Sequence, residues 1–102
     1  MGFNRLDPLF QPGTLLVSPG VLDSAIDYRR YLRRHLLGDW GDVCQYDKQE
    51  NRRAVETNDA VLSQYSVELP GGSDLLCVMT ESGRTHTVVF FLDEEIHRHE
   101  SA

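Results

Sequence analysis

Residues 61–80 read VLSQYSVELPGGSDLLCVMT, and the alternation in this stretch decides the fold. Val61, Ser63, Tyr65, Val67 and Leu69 fall on one face of an extended chain, because strand side chains alternate with a period of two. Pro70-Gly71-Gly72-Ser73 supplies a turn. Asp74–Thr80, DLLCVMT, then has the continuous apolar composition of a buried strand. Glu81-Ser82-Gly83-Arg84 makes a second tight turn. Thr85–Leu92, THTVVFFL, follows as a third strand rich in β-branched and aromatic residues. Three strands joined by short turns form an antiparallel meander, and one apolar face of it needs cover.

The cover is sought upstream. Thr14–Val17, TLLV, reads as a brief strand before a Ser-Pro-Gly break. Ser18 can N-cap a helix with Pro19 at its first position, where a missing N–H costs nothing. The pattern predicts one helix from there to about Leu37, stopped by Gly38. On a helical wheel Val21, Leu22, Ala25, Ile26, Leu32, Leu36 and Leu37 form one broad stripe. Arg29 falls inside that stripe and Arg33 at its margin, whereas Arg30 and Arg34 face the other way. A second, shorter and mostly solvent-facing helix is expected over Gln45–Thr57. The fold class read from the sequence is therefore α+β, in the order β-α-α-β-β-β. It is a two-layer sandwich: an antiparallel meander of three or four strands, covered by one amphipathic helix with a second helix over the sheet.

The 102 residues suit a single domain with one modest core. Residues 1–13, with Pro8 and Pro12 among Phe3, Leu6, Leu9 and Phe10, read as an irregular arm. The charged tail reads as frayed over 97–102, with a last helical turn possible over Glu94–His99. Apolar and charged fractions of 40% and 25% are those of a globular chain rather than a disordered one. No apolar run is long enough to span a bilayer and no signal peptide is visible, so the expected address is the cytoplasm. Cys44 and Cys77 lack metal-ligand spacing and are expected to be reduced, Cys77 as a core residue. Sixteen acids against ten bases give a net charge of −6. That balance argues against nucleic-acid binding by the whole surface.

The most distinctive stretch is GDWGD, Gly38–Asp42, which contains the only Trp. It can be a corner: Gly38 ends the helix, Asp39 or Gly41 shapes the turn, Trp40 plugs a gap, and Asp42 caps the second helix. It can also be a binding site. Asp39, Trp40 and Asp42 would then join Asp47 and Asn51 of the second helix and Arg29 or Arg33 of the first. Such a set could hold a polar ligand, a hard cation through oxygens, or a nucleotide stacked on Trp40. No EF-hand, metal-ligand, phosphate-loop or triad pattern occurs, so no metal, cofactor or catalytic residue is assigned. His97-Arg98-His99 is read as a solvated end rather than a chelating tract. His86 is read as a surface residue, with a general base beside Glu81 and Arg84 as the alternative.

Quoted together, GDWGD, Asp47-x-x-x-Asn51, Leu62-Ser63-x-Tyr65, Thr80-Glu81 and Arg84-x-x-Thr87 resemble a family of small uncharacterised bacterial proteins. These are carried on plasmids and other mobile elements. TLLVSPGVLDSA, residues 14–25, is similar to the segment leading into their first helix, and the likeness spans roughly residues 9–96. It implies a mobile-element setting and no particular activity. The element order is also similar to that of small ribosome-dependent or gyrase-targeting toxins of the RelE/ParE type. Those are basic, however, and their C-terminal Arg/His/Tyr set has no counterpart here.

The function expected from the sequence is a non-catalytic binding or regulatory module with a polar ligand or partner surface around GDWGD. The candidate binding residues are Arg29, Arg33, Asp39, Trp40, Asp42, Asp47, Asn51, Glu81 and Arg84. The expected partner is a protein or a small polar ligand. Nucleic acid through Arg29, Arg30, Arg33 and Arg34, beside Tyr28 and Tyr31, is left open but not favoured. A homodimer through VVFF is also left open, and no membrane partner is expected. The alternatives are a toxin using Arg29, Arg33, His86 or Arg84, and an acidic decoy of a host defence protein. Two structural expectations accompany this reading. Trp40 is buried, and Arg29 bonds a carboxylate from outside residues 36–43, with Asp47 or Glu81 best placed.

Overall fold

Ser18 starts a helix as its position predicts, accepting the Val21 N–H at its Oγ over 3.1 Å with Pro19 next in line. The helix then stops within two turns, which corrects the expectation of one continuous helix to Leu37. The computed structural model describes residues 7–94. In it, α1 spans Pro19–Asp23 and α2 spans Tyr28–Leu36. Ser24 breaks the run: its Oγ donates to the Val21 carbonyl at 2.7 Å and accepts the Ile26 N–H at 3.2 Å. A short hydroxyl side chain offers the backbone this alternative to helical pairing. Ala25 then sits at φ 63°, a left-handed conformation that no α-helix continues through. The predicted stripe is therefore cut. Leu22 is 57% exposed, and Ile26, Tyr28, Tyr31 and Leu32 form the face that packs inward.

The third helix, α3, spans Gln45–Thr57 and ends on left-handed Asn58. The strands are β1 (Thr14–Val17), β2 (Val61–Leu69), β3 (Gly72–Thr80) and β4 (His86–Phe91), with a 3-10 turn at Ser82–Arg84. The order in the sheet is β1-β4-β3-β2. β2, β3 and β4 form the predicted meander, with Ser63 opposite Val78 and Val78 opposite Val89. The expectation of an all-antiparallel sheet fails at β1, which pairs in parallel with β4, Leu16 lying beside Val88. A connection that runs through all three helices and the β2–β3 hairpin can return the chain in either sense. The molecule is thus α+β, an open sheet covered by helices, and the described residues hold more helical segments than the two expected, α1, α2, α3 and the 3-10 turn among them.

Glu94 locks the far end of β4 to the start of α1. Its carboxylate accepts from the Ser18 hydroxyl at 2.6 Å, the Gly20 N–H at 2.9 Å and the Phe91 N–H at 3.0 Å. Residues 97–102, read from the sequence as frayed, lie outside the described residues, as do Phe3, Leu6 and the rest of the turn predicted after Glu94.

All three helices pack on one face of the sheet. Val21, Tyr65, Val67, Leu76, Val78, Val89 and Phe91 form one apolar cluster under α1 and α2. Phe10, Trp40, Val43, Ala54 and Val61 form a second under α3. The opposite face carries Leu16, Leu62, Leu75, Met79, Val88 and Phe90 and has no helix over it among the described residues. No described helix is long and apolar enough to cross a membrane.

Candidate functional site

Gly38 ends α2 in a Schellman arrangement. At φ 90° its N–H donates to the His35 carbonyl at 3.2 Å, and the Asp39 N–H donates to the Arg34 carbonyl at 2.9 Å. The chain next runs alongside β2. The Gln64 N–H donates to the Trp40 carbonyl at 3.2 Å, and the Asp42 N–H donates to the Gln64 carbonyl at 2.6 Å. Gly41 lies between these two bonds at φ 76°. A Cβ there would sit 2.2 Å from the Gln64 carbonyl oxygen and 2.6 Å from the Tyr65 ring. Only glycine allows the two backbones to approach this closely.

The acidic side chains of the motif are engaged in the same corner. Asp39 accepts from Arg34 Nε at 2.7 Å and from the Gly41 N–H at 3.2 Å. The Arg34 guanidinium holds its carboxyl below the usual carboxylate range. The Asp39 carbonyl accepts the Tyr65 hydroxyl at 2.6 Å, and burial pushes that phenol up to about 12. Asp42 was expected to cap α3. Cys44 stands at that N-cap instead, and the Asp42 carboxylate accepts the Ser66 N–H at 2.8 Å, which lowers its pKa. Asn51, buried on α3, reaches the same edge one step further along. Its Nδ2 donates to the Leu62 carbonyl at 2.8 Å and its Oδ1 accepts the Leu62 N–H at 3.2 Å.

Leu62, Gln64 and Ser66 are the positions where β2, an edge strand, turns its N–H and C=O groups away from β3. GDWGD and Asn51 take both groups of Leu62 and Gln64 and the N–H of Ser66 in series, as a fifth strand would. An unpaired strand edge is a template for unwanted pairing, and natural folds cover it. Trp40 completes the corner from the inside. It is 5% exposed, stacked on Phe10 at a centroid separation of 6.4 Å and approached by the edge of His35 at 6.1 Å. Its burial is as expected, and it leaves no indole face on which a base could stack.

The other predicted site residues are not gathered at this corner. Arg29 and Arg33 are exposed on α2. Arg29 bonds no carboxylate among the described residues, which overturns the expected pairing. Its guanidinium instead lies 5.9 Å from the Tyr28 ring centroid. The reason is the break at Ala25, which rotates α2 relative to α1 and brings Arg29 out of the buried stripe. Asp47 is exposed in the first turn of α3, where a negative charge suits the helix dipole. Glu81 opens the 3-10 turn, its N–H donating to the His86 carbonyl at 2.9 Å. The Arg84 guanidinium donates to the carbonyls of Ala54, at 2.8 Å, and Asp59, and lies 4.9 Å above the Phe10 ring. It ties the turn before β4 to the end of α3.

Sequence reasoning did not single out His35. The imidazole is fully buried. Nδ1 lies 2.6 Å from Ser63 Oγ and Nε2 lies 2.9 Å from Thr80 Oγ1; Thr80 and Thr87 are joined at 2.6 Å, and Thr87 donates to the Pro12 carbonyl at 2.7 Å. That last bond sets the direction of the whole chain. Thr87 uses its proton on Pro12, so Thr80 donates to Thr87, Nε2–H donates to Thr80, and Ser63 donates to a bare Nδ1. Burial, with the Arg84 charge acting the same way, pushes the imidazole down to about 3, so it stays neutral at pH 7. A Ser–His contact of this length resembles a nucleophile with its base. Here both groups are sealed in the core, and the base has too low a pKa to take a proton near neutrality. The signal was available in the spacing, because Tyr28, Tyr31, Leu32 and His35 stand at i, i+3, i+4 and i+7.

Beside the corner the surface is concave and basic. A hollow of about 360 Å³ is lined by Leu9, Leu37, Trp40, Gly41, Lys48 and Arg52, among others. A second, of about 200 Å³, adjoins it through Leu37 and is lined by Pro8, Arg29, Leu32, Arg33 and Leu36. Every Lys and Arg of the described residues except Arg84 lies on α2 or α3. Of these, Arg34 pairs with Asp39 and Arg53 lies 3.8 Å from Glu50, whereas Arg29, Arg33, Lys48 and Arg52 form no ion pair within 4 Å among the described residues, the Lys48 charge acting on Asp39 and Asp42 from further away. No group of three or more potential metal ligands occurs among the described residues. Compared with known proteins, the chain matches no family model, no curated protein and no solved structure.

Proposed function

We propose that this protein is a non-catalytic binding module, and that its binding face is the basic groove beside GDWGD rather than the motif itself. The observation that carries this reading is the set of cations, Arg29, Arg33, Lys48 and Arg52, that line the two adjoining hollows and form no ion pair among the described residues. Leu32, Leu36 and Leu37 make the smaller hollow mainly apolar, and Leu9 and Leu37 add apolar surface to the more polar larger one. Concentrating these bases on one face of a chain with net charge −6 steers an anionic partner to that face.

The partner this surface suits is an acidic protein segment that also carries apolar side chains. Nucleic acid fits less well, because Trp40 is covered on its stacking side and the smaller hollow is mainly apolar. The toxin reading draws no support from the geometry. Arg29 and Arg33 stand in the helix layer, His86 is on the opposite face of the sheet, and Arg84 is occupied by two carbonyls. The mobile-element setting is carried as part of this proposal, resting on the sequence resemblance alone.

Affinity capture from nuclease-treated lysate of the source cells tests it, comparing the wild-type protein with the double variant Arg33→Glu/Arg52→Glu. Capture of a protein by the wild type, lost in the variant and weakened by added salt, is the expected result. Capture that is indifferent to the charge reversal, or that is seen only in a parallel lysate left without nuclease, contradicts the proposal.

A further inference from the structure

The sheet has two apolar faces and the helices cover one of them. β4 reads HTVVFF. Thr87, Val89 and Phe91 face the core, while Val88 and Phe90 face away from it, and β3 repeats the pattern with Leu75 and Met79 pointing outward. Strands that are apolar on both sides belong to sheets covered on both sides. Leu16 extends the outward patch on β1, where it is 48% exposed, and Leu62 extends it on β2. A hollow of about 410 Å³ lies at the β1–β4 end of the patch, between Leu16, Met79, Val88 and Phe90.

We propose that a second copy of this chain covers this face, the two sheets packing against each other as an isologous dimer. Two observations select this occupant. The first is charge. With a net charge of −6, two copies repel each other overall. Leu16, Leu62, Leu75, Met79, Val88 and Phe90 bring no charge to the contact, and Glu68, the one carboxylate at an outward position of the four strands, lies beyond them at the hairpin end of β2. The second is area. Four strands at about 4.8 Å spacing and five to six residues at about 3.3 Å rise give a flat face of roughly 350 Å². Side-chain relief raises the accessible area to about 500 Å² per copy. Two copies then bury about 1,000 Å², below the roughly 1,200–2,000 Å² of stable specific interfaces and in the range of weak, reversible association. Sheets packed in this way lie about 10 Å apart with their strands roughly 30° from alignment. The basic groove is in the helix layer on the other side, so a dimer of this kind leaves both grooves open and facing outward.

Sedimentation velocity on the full chain at protein concentrations from about 1 to 500 µM tests the inference, alongside the variants Leu16→Glu, Met79→Lys and Leu22→Glu. The wild-type mass is expected to rise with concentration from 11.6 kDa toward twice that value. Leu16→Glu and Met79→Lys are each expected to weaken association at least tenfold. Leu22→Glu changes an exposed leucine in the helix layer and is expected to leave association unchanged. Far-UV circular dichroism identifies any variant that fails to fold, and the remaining patch variant then decides. A wild-type mass that stays at the monomer value throughout overturns the proposal, whatever else covers the face. So does association that all three substitutions weaken equally.

Discussion

The side-chain amide of Asn51 occupies the place of a neighbouring strand against Leu62, giving one hydrogen bond to its carbonyl and taking one from its N–H. A carboxamide carries a donor and an acceptor in peptide geometry, and at neutral pH no other side chain of this length offers both. Asn51→Ala leaves both Leu62 groups without their partner and is expected to destabilise the fold by about 1–3 kcal/mol. Asn51→Asp places a carboxylate against the Leu62 carbonyl and should cost more at pH 7 than at pH 4, where the acid can donate. Urea denaturation of the two variants at both pH values checks this. Equal midpoints for Asn51→Asp at the two pH values, relative to wild type, would contradict it.

His35 predicts how stability depends on pH. Its folded pKa, about 3, lies below the ordinary value of 6.5, so between those values the unfolded chain binds the proton and the folded chain does not. Stability is then full above about pH 6.5 and falls as pH drops toward 3, with a slope of up to about 1.4 kcal/mol per pH unit from this group. Asp39 and Asp42, whose folded pKa values are lowered from 3.8, add their losses only below about pH 4. The window from pH 6 to 4.5 therefore isolates His35. Denaturation midpoints measured across it should decline in wild type and stay nearly level in His35→Gln.

The two glycines of the motif should not be equivalent. Gly38 has φ 90°, but its added Cβ would meet only the tip of the Leu9 side chain, so Gly38→Ala is expected to cost about 1–2 kcal/mol of left-handed strain. At Gly41 the added atom meets the Gln64 backbone as well, so Gly41→Ala is expected to cost upwards of about 3 kcal/mol. Thermal unfolding of the two variants ranks them.

Trp40→Ala should cost about 3–5 kcal/mol, since it removes the largest ring of the second cluster from contact with Phe10 and His35. Indole emission from the folded wild-type protein is expected at the short wavelength of a buried ring and should shift to the red on unfolding. Emission already at the water-exposed position in the folded state would count against it.

The meander was legible because its signals are local: strict alternation in Val61–Leu69, glycine turns, and β-branched runs. The start of α1 and the stop at Gly38 were legible for the same reason. The break at Ser24 and Ala25 was not, because apolar periodicity runs through it and only the Ser24 hydroxyl bonds reveal the competing conformation. From that one miss came the misplaced Arg29. The parallel pairing of β1 depends on contacts far apart in sequence, which no local pattern encodes. Trp40 was correctly expected to be buried and GDWGD was read as a corner or a site. What the corner does depends on the edge of β2, a partner more than twenty residues away. The basic groove was only half visible: Arg29 and Arg33 were named, but Lys48 and Arg52 join them through the packing of α3 at the corner.

The central claim is that GDWGD and Asn51 act together as an extra strand on the edge of β2, leaving binding to the groove beside them. Native-state amide hydrogen exchange reads this residue by residue. Leu62, Gln64 and Ser66 point their N–H groups outward to Asn51, Trp40 and Asp42. Glu68, next in the same outward series, lies beyond the end of the seal. The account predicts that the amides of Leu62, Gln64 and Ser66 exchange at least about 100-fold more slowly than that of Glu68, with protection close to that of Ser63 and Tyr65. If Gln64 and Ser66 exchange as fast as Glu68 while Ser63 and Tyr65 stay protected, the edge is open and the claim is wrong.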